Sequence, residues 1–376
     1  METLETSRQR DIRRCRDFYF QKPDAPLVMR EFGWYSLERW EREGWIRKGE
    51  DVWKTFDLDE PGNYSVRELG WCEAAFDPCF EVKILEDRGE HEVVQDTAGR
   101  HVLYFKGKRD GFMPEYLDHP VKDQKTWEEQ VKWRLDPKSP HRFDHFEKIK
   151  PEILQAVGEG KIITEQSIGG YMYLRSLMGP EKLLYAFYDM PELIHDCMQT
   201  WLALADSVIA EHQKYFDVDE LFIAEDICYN VSSLISHDMM REFLFPYYQQ
   251  LIAGIRSRQK DKTRKLFIQV DTDGAAHTVI DVYKEIGVNF MSPFEVASGN
   301  DVVELRKRYP DLLMTGGFDK RILAKGKEAI DREVDRIMPF MKKYGGYIPT
   351  CDHGVPEEVS FENYLHFRKR LKEFSE

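Results

Sequence analysis

The chain has 376 residues, 42% of them hydrophobic and 13% aromatic, which excludes a disordered protein and allows either two average domains or one elaborated barrel. A formal charge of -14 argues against a nucleic-acid backbone as the main partner, because that binding relies on clustered Lys and Arg. No apolar run approaches the roughly 20 residues of a membrane span, residues 1–15 lack the apolar centre of a signal peptide, and the six cysteines form no CxxC pair; a cytoplasmic protein without a membrane partner, a disulfide framework or a thiolate zinc knuckle is expected.

Residues 1–22 carry an amphipathic helical pattern with Ile12, Cys15, Phe18 and Tyr19 on one side. Pro23 and Pro26 bracket a turn, so residues 1–26 read as an N-terminal helical extension. LVMREF (27–32) is the predicted first strand, followed by a helix with Leu37, Trp40 and Trp45, and CEAAF (72–76) is the predicted second. Arg30, near the end of the first, either faces a pocket anion or lies on a surface edge. Between 80 and 106 the pattern changes: FEVKIL, HEVVQD and RHVLYFK are separated by Asp-Arg-Gly and Thr-Ala-Gly turns, which predicts a small antiparallel meander inserted over residues 78–110. GFMPEYLDHP then returns the chain to helix around Trp127 and Trp133.

From residue 161 strands and helices alternate. KIITEQ, LFIAE, KLFIQV, VNFMS, LLMTG and GYIPT read as strands, bringing the predicted number to eight. Between them lie a long helix opened by Pro191, a helix capped by Ser236 with a kink at Pro246, and helices over 277–286, 300–308, from about 327 and over 360–374. With no Ser-, Gly- or Pro-rich linker in the second half, the expectation is α/β: one decorated TIM (β/α)8 barrel spanning residues 1–376.

Several strands end at acids: Glu225 and Asp226, Asp271 and Asp273, Glu295, Asp319, and Asp352 with His353. In a parallel barrel those ends meet at one face and carry functional groups on a rigid base. Asp271 and Asp273 are two apart and would point the same way along a continuing strand; such a pair binds a metal, shares a proton or is solvated. His353, held by Gly354 and Pro356 in TCDHGVP, can act as ligand, general acid or hydrogen-bond donor, or cap a loop. Tyr171, Tyr173 and Phe294 are candidate aromatic walls.

On LMGPEKLLYAFYDMPELIHD, LISHDMMREFLFPYYQQLI, MTGGFDKR and GGYIPTCDHGVPEEVSFENY, the chain resembles the uroporphyrinogen decarboxylase superfamily, TIM barrels that include porphyrinogen decarboxylases and cobalamin-dependent or coenzyme M methyltransferases. The decarboxylases carry an MRQAGRY-like segment whose two arginines hold substrate propionates; MREFGWY retains Arg30 and puts Trp34 at the second arginine. The methyltransferases hold zinc through an HxC pair and a later Cys, positions that map onto Asp271, Asp273 and His353. The resemblance therefore implies a divalent ion, zinc included, on Asp271, Asp273 and His353 with Glu225 as a fourth ligand. LERWEREG and PFEVASGNDV look most like members that accompany corrinoid proteins.

The expected function is transfer of a methyl group between a small methylated substrate and a corrinoid cofactor on a partner protein, with His353 and Asp273 catalytic and Arg30, Tyr171, Glu295, Asp319 and Asp226 around the substrate. The alternatives are a decarboxylase or lyase acting on a small carboxylate, and a ligand-binding barrel without turnover.

Overall fold

A computed structural model describes residues 5–109 and 114–375. Eleven strands are present among the described residues: β1 (Asn63–Leu69), β2 (Lys83–Arg88), β3 (His91–Gln95), β4 (His101–Phe105), β5 (Glu115–Asp118), β6 (Ile162–Ile168), β7 (Glu220–Ala224), β8 (Phe267–Asp271), β9 (Phe290–Phe294), β10 (Leu313–Gly316) and β11 (Tyr347–Ile348). Seven form a parallel sheet in the order β1-β6-β7-β8-β9-β10-β11, with helices between successive strands. The architecture is α/β and TIM-barrel-like. Strands β2 to β5 form a separate antiparallel sheet. Its fourth strand lies in EYLD, where the sequence pattern predicts a return towards helix.

The predicted first and second strands both require correction. Residues 27–32 form no strand, although Leu27, Val28 and Met29 are buried. This segment spans the seam between β1 and the region after β11 through scattered bonds instead of a ladder. Asp59 receives a hydrogen bond from Met29 N–H and donates its own N–H to the Met29 carbonyl, both at 2.9 Å. On the other side Tyr35 N–H donates to the Val355 carbonyl and Val355 N–H to the Gly33 carbonyl. CEAAF is irregular as well: it follows Gly70, whose φ of +77° turns the chain, and the paired strand lies just before it at β1.

The strands from β6 onward form where apolar residues dominate, because helices cover their outer faces. Helix α1 (Ser7–Tyr19) begins with a capping box in which Thr6 and Gln9 satisfy each other's backbone N–H groups. Its Cys15, Phe18 and Tyr19 pack with Val28 against Ile162, Phe267, Phe290, Leu313 and Ile348. Most of these lie at the N-terminal ends of their strands, so α1 closes the floor of the barrel. Burying side chains of this size stabilises by roughly 1.5–3 kcal/mol each. Ser236 caps the helix His237–Phe243 by accepting from Met239 N–H at 3.1 Å, and Pro246 stands in the first turn of a new helix, Phe245–Arg258. The expected kink is a break between two helices.

Candidate functional site

Above the apolar floor the interior of the barrel is polar. Alternation along the strands turns Thr164 and Gln166 of β6, Glu220 and Phe222 of β7, Gln269 and Asp271 of β8 and Ser292 of β9 into one cavity of about 590 Å³. Arg30 enters from the seam, and Asp273 and His353 stand with Tyr35 and Trp71 towards the C-terminal strand ends.

Asp271 is half-buried at the C-terminal end of β8 and faces the cavity. Ser292 Oγ donates to its Oδ2 at 2.9 Å, and Gln269 Nε2 donates to Ser292 Oγ at 2.7 Å. Burial pushes the Asp271 carboxyl up to about 7, with Asp273 and Asp226 adding repulsion and the Ser292 hydrogen bond opposing the change. Asp271 therefore carries its proton over part of the neutral range. Asp273 is half exposed at the rim, 3.8 Å from His353 Nε2. Its carboxyl is also pushed up, by partial desolvation against the favourable charge of His353. The His353 ring lies parallel to Tyr35, with centroids 6.2 Å apart. Glu31 supports this corner: its carboxylate accepts from Cys351 N–H and Tyr364 O–H, both at 3.0 Å. Burial raises the Glu31 carboxyl to about 7.

The other predicted acids do not join the cavity. Glu225 is fully buried behind the sheet, accepting from Tyr171 N–H at 3.1 Å and from Tyr248 O–H. Tyr171 is itself buried outside the cavity, and its backbone makes that bond. Asp226, in the left-handed region at φ +42°, pairs with Arg175. Glu295 accepts from Gly274 N–H at 2.9 Å and from Lys320 Nζ at 3.1 Å; these partners overcome its partial burial and hold it below the usual carboxylate range. It thus braces the loop carrying Asp273. Asp319 caps the short helix Lys320–Leu323 and pairs with Arg321.

These placements do not fit the expected metal site. Glu225 is engaged on the far side of β7, Asp271 Oδ2 accepts from Ser292, and the Cys351 thiol is buried and pushed well above its ordinary range. Among the described residues no three His, Cys, Asp or Glu side chains are grouped to hold a metal ion. Sequence reasoning also missed Glu31, Glu220, Gln269 and Ser292. The available signal was polar residues at alternate positions of otherwise apolar strands, as in KIITEQ and FIQVD.

Fold and site together define a barrel-like α/β protein with a polar, carboxyl-lined cavity reaching the C-terminal strand ends. A family model described as uroporphyrinogen decarboxylase (URO-D) matches residues 114–374, and the chain belongs to that family. A uroporphyrinogen decarboxylase from Hydrogenobaculum sp. (strain Y04AAS1) is 25% identical over 144 residues, which is 38% of this chain and 39% of that protein. The match therefore spans well under two thirds of the relative. Among solved structures, a methyltransferase from Methanosarcina mazei aligns over 97% of this chain and 98% of its own, with a TM-score of 0.54 and 12% identity. A B12-independent methionine synthase from Shewanella sp. W3-18-1 aligns over 60% and 65% respectively, with a TM-score of 0.35 and 13% identity. No helix among the described residues is long and apolar enough to cross a membrane.

Proposed function

We propose that this chain is a methyltransferase that takes a small methyl ether into the barrel cavity and passes the methyl group to a corrinoid cofactor carried by a partner protein. The observation that carries this reading is Asp271, a half-buried carboxyl facing the cavity, hydrogen-bonded by Ser292 Oγ and pushed up to about 7 by its desolvation. When the methyl carbon leaves, the electron pair of the broken C–O bond stays on oxygen and takes the Asp271 proton, so an alcohol departs instead of an alkoxide. A corrinoid docked on its partner protein would supply the nucleophilic acceptor of the methyl group. His353 and Asp273, 3.8 Å apart at the rim, return a proton from solvent to Asp271. Membership in the family and the likeness in fold to a methyltransferase support the class. Phe32, Tyr35 and Trp71 line the cavity and remain substantially exposed, a rim that fits a flat macrocycle.

The test is methylation of cob(I)alamin, free or bound to a corrinoid protein, across a broad panel of methyl ethers and methylamines. Transfer from at least one ether, lost in Asp271→Asn, is expected; silence across the panel with divalent metals supplied refutes the reading. A lyase acting on a small carboxylate is the second reading. It is favoured by Arg30, whose guanidinium lines the cavity and donates to the neutral Asn63 side chain and to no carboxylate among the described residues. Release of carbon dioxide without any corrinoid would distinguish it.

A further inference from the structure

Between Phe267 at the floor and Asp271 above it, three neighbouring strands place Gln166, Phe222 and Gln269 in one row. Phe222 on β7 is the register partner of Gln166 on β6 and of Gln269 on β8, and all three line the cavity. Gln166 is 5% exposed; its amide makes no hydrogen bond among the described residues, yet its polar atoms are not sealed inside the wall. Gln269 is fixed in orientation. Ser292 Oγ gives its one proton to Asp271 Oδ2 at 2.9 Å, so it accepts from the Gln269 NH2 at 2.7 Å, and Gln269 Oε1 is left open and without a partner among the described residues. The Trp71 indole, 45% exposed, stacks on the Phe222 ring with centroids 5.3 Å and planes 20° apart. The row is thus an aromatic wall with an unsatisfied carboxamide group on either side of it.

We propose that this row recognises a flat, neutral nitrogen heterocycle whose edge presents an amide N–H beside a carbonyl, and that such a ring is the part of the methyl donor held below its ether. The Gln166 carboxamide offers an acceptor and a donor side by side, and the edge that matches both at once is a donor beside an acceptor. A carboxylate would meet the NH2 and leave the Gln166 oxygen against a like charge; an ammonium would meet the oxygen and leave the NH2 unmatched. Gln269 Oε1 takes a further N–H or O–H on the opposite edge, and Phe222 with Trp71 supplies the face against which a planar ring packs. Neighbouring strands lie about 4.8 Å apart, so the backbones of Gln166 and Gln269 are separated by roughly 10 Å, the scale of one ring bonded at both edges. Along β8, Asp271 stands two residues beyond Gln269 on the same face, roughly 7 Å further towards the mouth. A methoxy group on that ring therefore reaches Asp271. The inference rests on the proposed function only in treating this cavity as the donor's site.

Four probes test it by calorimetric titration without corrinoid: 4-methoxy-2-pyridone, its N-methyl derivative, 4-methoxy-2-piperidone and 4-methoxybenzoate. The first is flat and carries the amide edge; the second blocks that edge, the third keeps it on a ring that is not flat, and the fourth tests capture by Arg67, the exposed cation that β1 adds to the cavity lining. The pyridone is expected to bind at least about tenfold more tightly than each of the others. Gln166→Met keeps the length of the side chain and removes the amide, which holds no other part of the protein among the described residues. Pyridone affinity should then fall at least about tenfold, to the level of the N-methyl derivative, whose own binding stays unchanged. Phe222→Leu should weaken the pyridone more than the piperidone. Any of the other three probes binding as tightly as the pyridone, pyridone binding unchanged in Gln166→Met, or no probe binding at millimolar concentration overturns the inference. If a variant does not fold, the order of the four probes on the unsubstituted protein still decides. Selective pyridone binding without methyl transfer from any donor would count against the proposed reaction and leave the recognition row standing, whereas methyl transfer from other ethers with no selectivity among the probes would overturn the row alone.

Discussion

Replacing Glu225 by Gln separates a structural carboxyl from a ligand or catalyst, because the two roles predict opposite outcomes. The Glu225 side chain is fully buried, and burial moves its ionisation from the ordinary 4.5 to about 7 despite hydrogen bonds from Tyr248 and Tyr171. Below about pH 4.5 both folded and unfolded chains hold the proton, and burial carries no ionic penalty. Between 4.5 and 7 the unfolded chain ionises while the folded carboxyl does not, so stability falls as pH rises. At about 1.36 kcal/mol per pH unit the loss is complete above pH 7 at roughly 3 kcal/mol. Gln removes that term and keeps an acceptor for Tyr171 N–H. Tyr248 oxygen already accepts from Gly170 N–H, so its own proton loses an acceptor, a cost of about 1 kcal/mol. The net expectation is near-equal stability at pH 5 and a gain of roughly 2 kcal/mol for the variant at pH 8, read from urea denaturation, with turnover retained. A variant less stable than its parent at pH 8, or a difference independent of pH, would refute the reasoning.

Asp271→Asn should lower turnover by about 10²–10⁴-fold. It should also abolish the decline in activity as pH rises through about 7, where the parent carboxyl loses its proton, as a pH–rate profile would show. His353→Ala breaks a half-exposed pair and should change unfolding stability by less than about 0.5 kcal/mol while reducing turnover. Tyr19→Phe removes one of two donors to Glu220 Oε2 and should cost about 1–2 kcal/mol by urea denaturation. Gly274→Ala would place a methyl 2.5 Å from the Tyr229 carbonyl at φ +75°; a stability loss above about 1 kcal/mol is expected, with activity falling as the Asp273 loop moves.

The strands after residue 160 were legible because each is a short apolar run followed by a helical pattern, as with KLFIQV and the observed Phe267–Asp271. The first strand was not. NYSVREL includes Arg67, exposed near the cavity mouth, and follows Pro61 and Gly62, so its pattern resembles a loop. LVMREF misled in the other direction, since its buried side chains fill the seam while its backbone bonds go to Asp59 and, further on, to Val355. At the site, three residues of the acidic strand ends, Asp271, Asp273 and His353, line one cavity. The acidic strand ends did not mark the face. Ala224 is the register partner of Asp271, so Glu225, one residue on, falls on the opposite side and turns to the start of the helix Gly170–Met178. Register between strands carries that information, and a single strand's pattern does not.

A barrel interior is ordinarily filled by stacked layers of branched apolar side chains. Here one such layer survives, at the floor, and the levels above it carry Thr164, Gln166, Gln269, Ser292 and Thr315. A polar lumen contributes less hydrophobic stabilisation, and its groups need partners from within the barrel, from water or from a ligand. Helix α1 answers the first need from outside by packing Phe18 and Tyr19 under the floor, and the second in part by directing the Tyr19 hydroxyl to Glu220. With the floor closed and several exposed aromatics at the C-terminal side, the cavity can be long, polar and open in one direction. That asymmetry leaves one way in, past Asp273 and His353 at the C-terminal strand ends, to a cavity that runs by Asp271 down to Arg30 and Asn63 beside the floor.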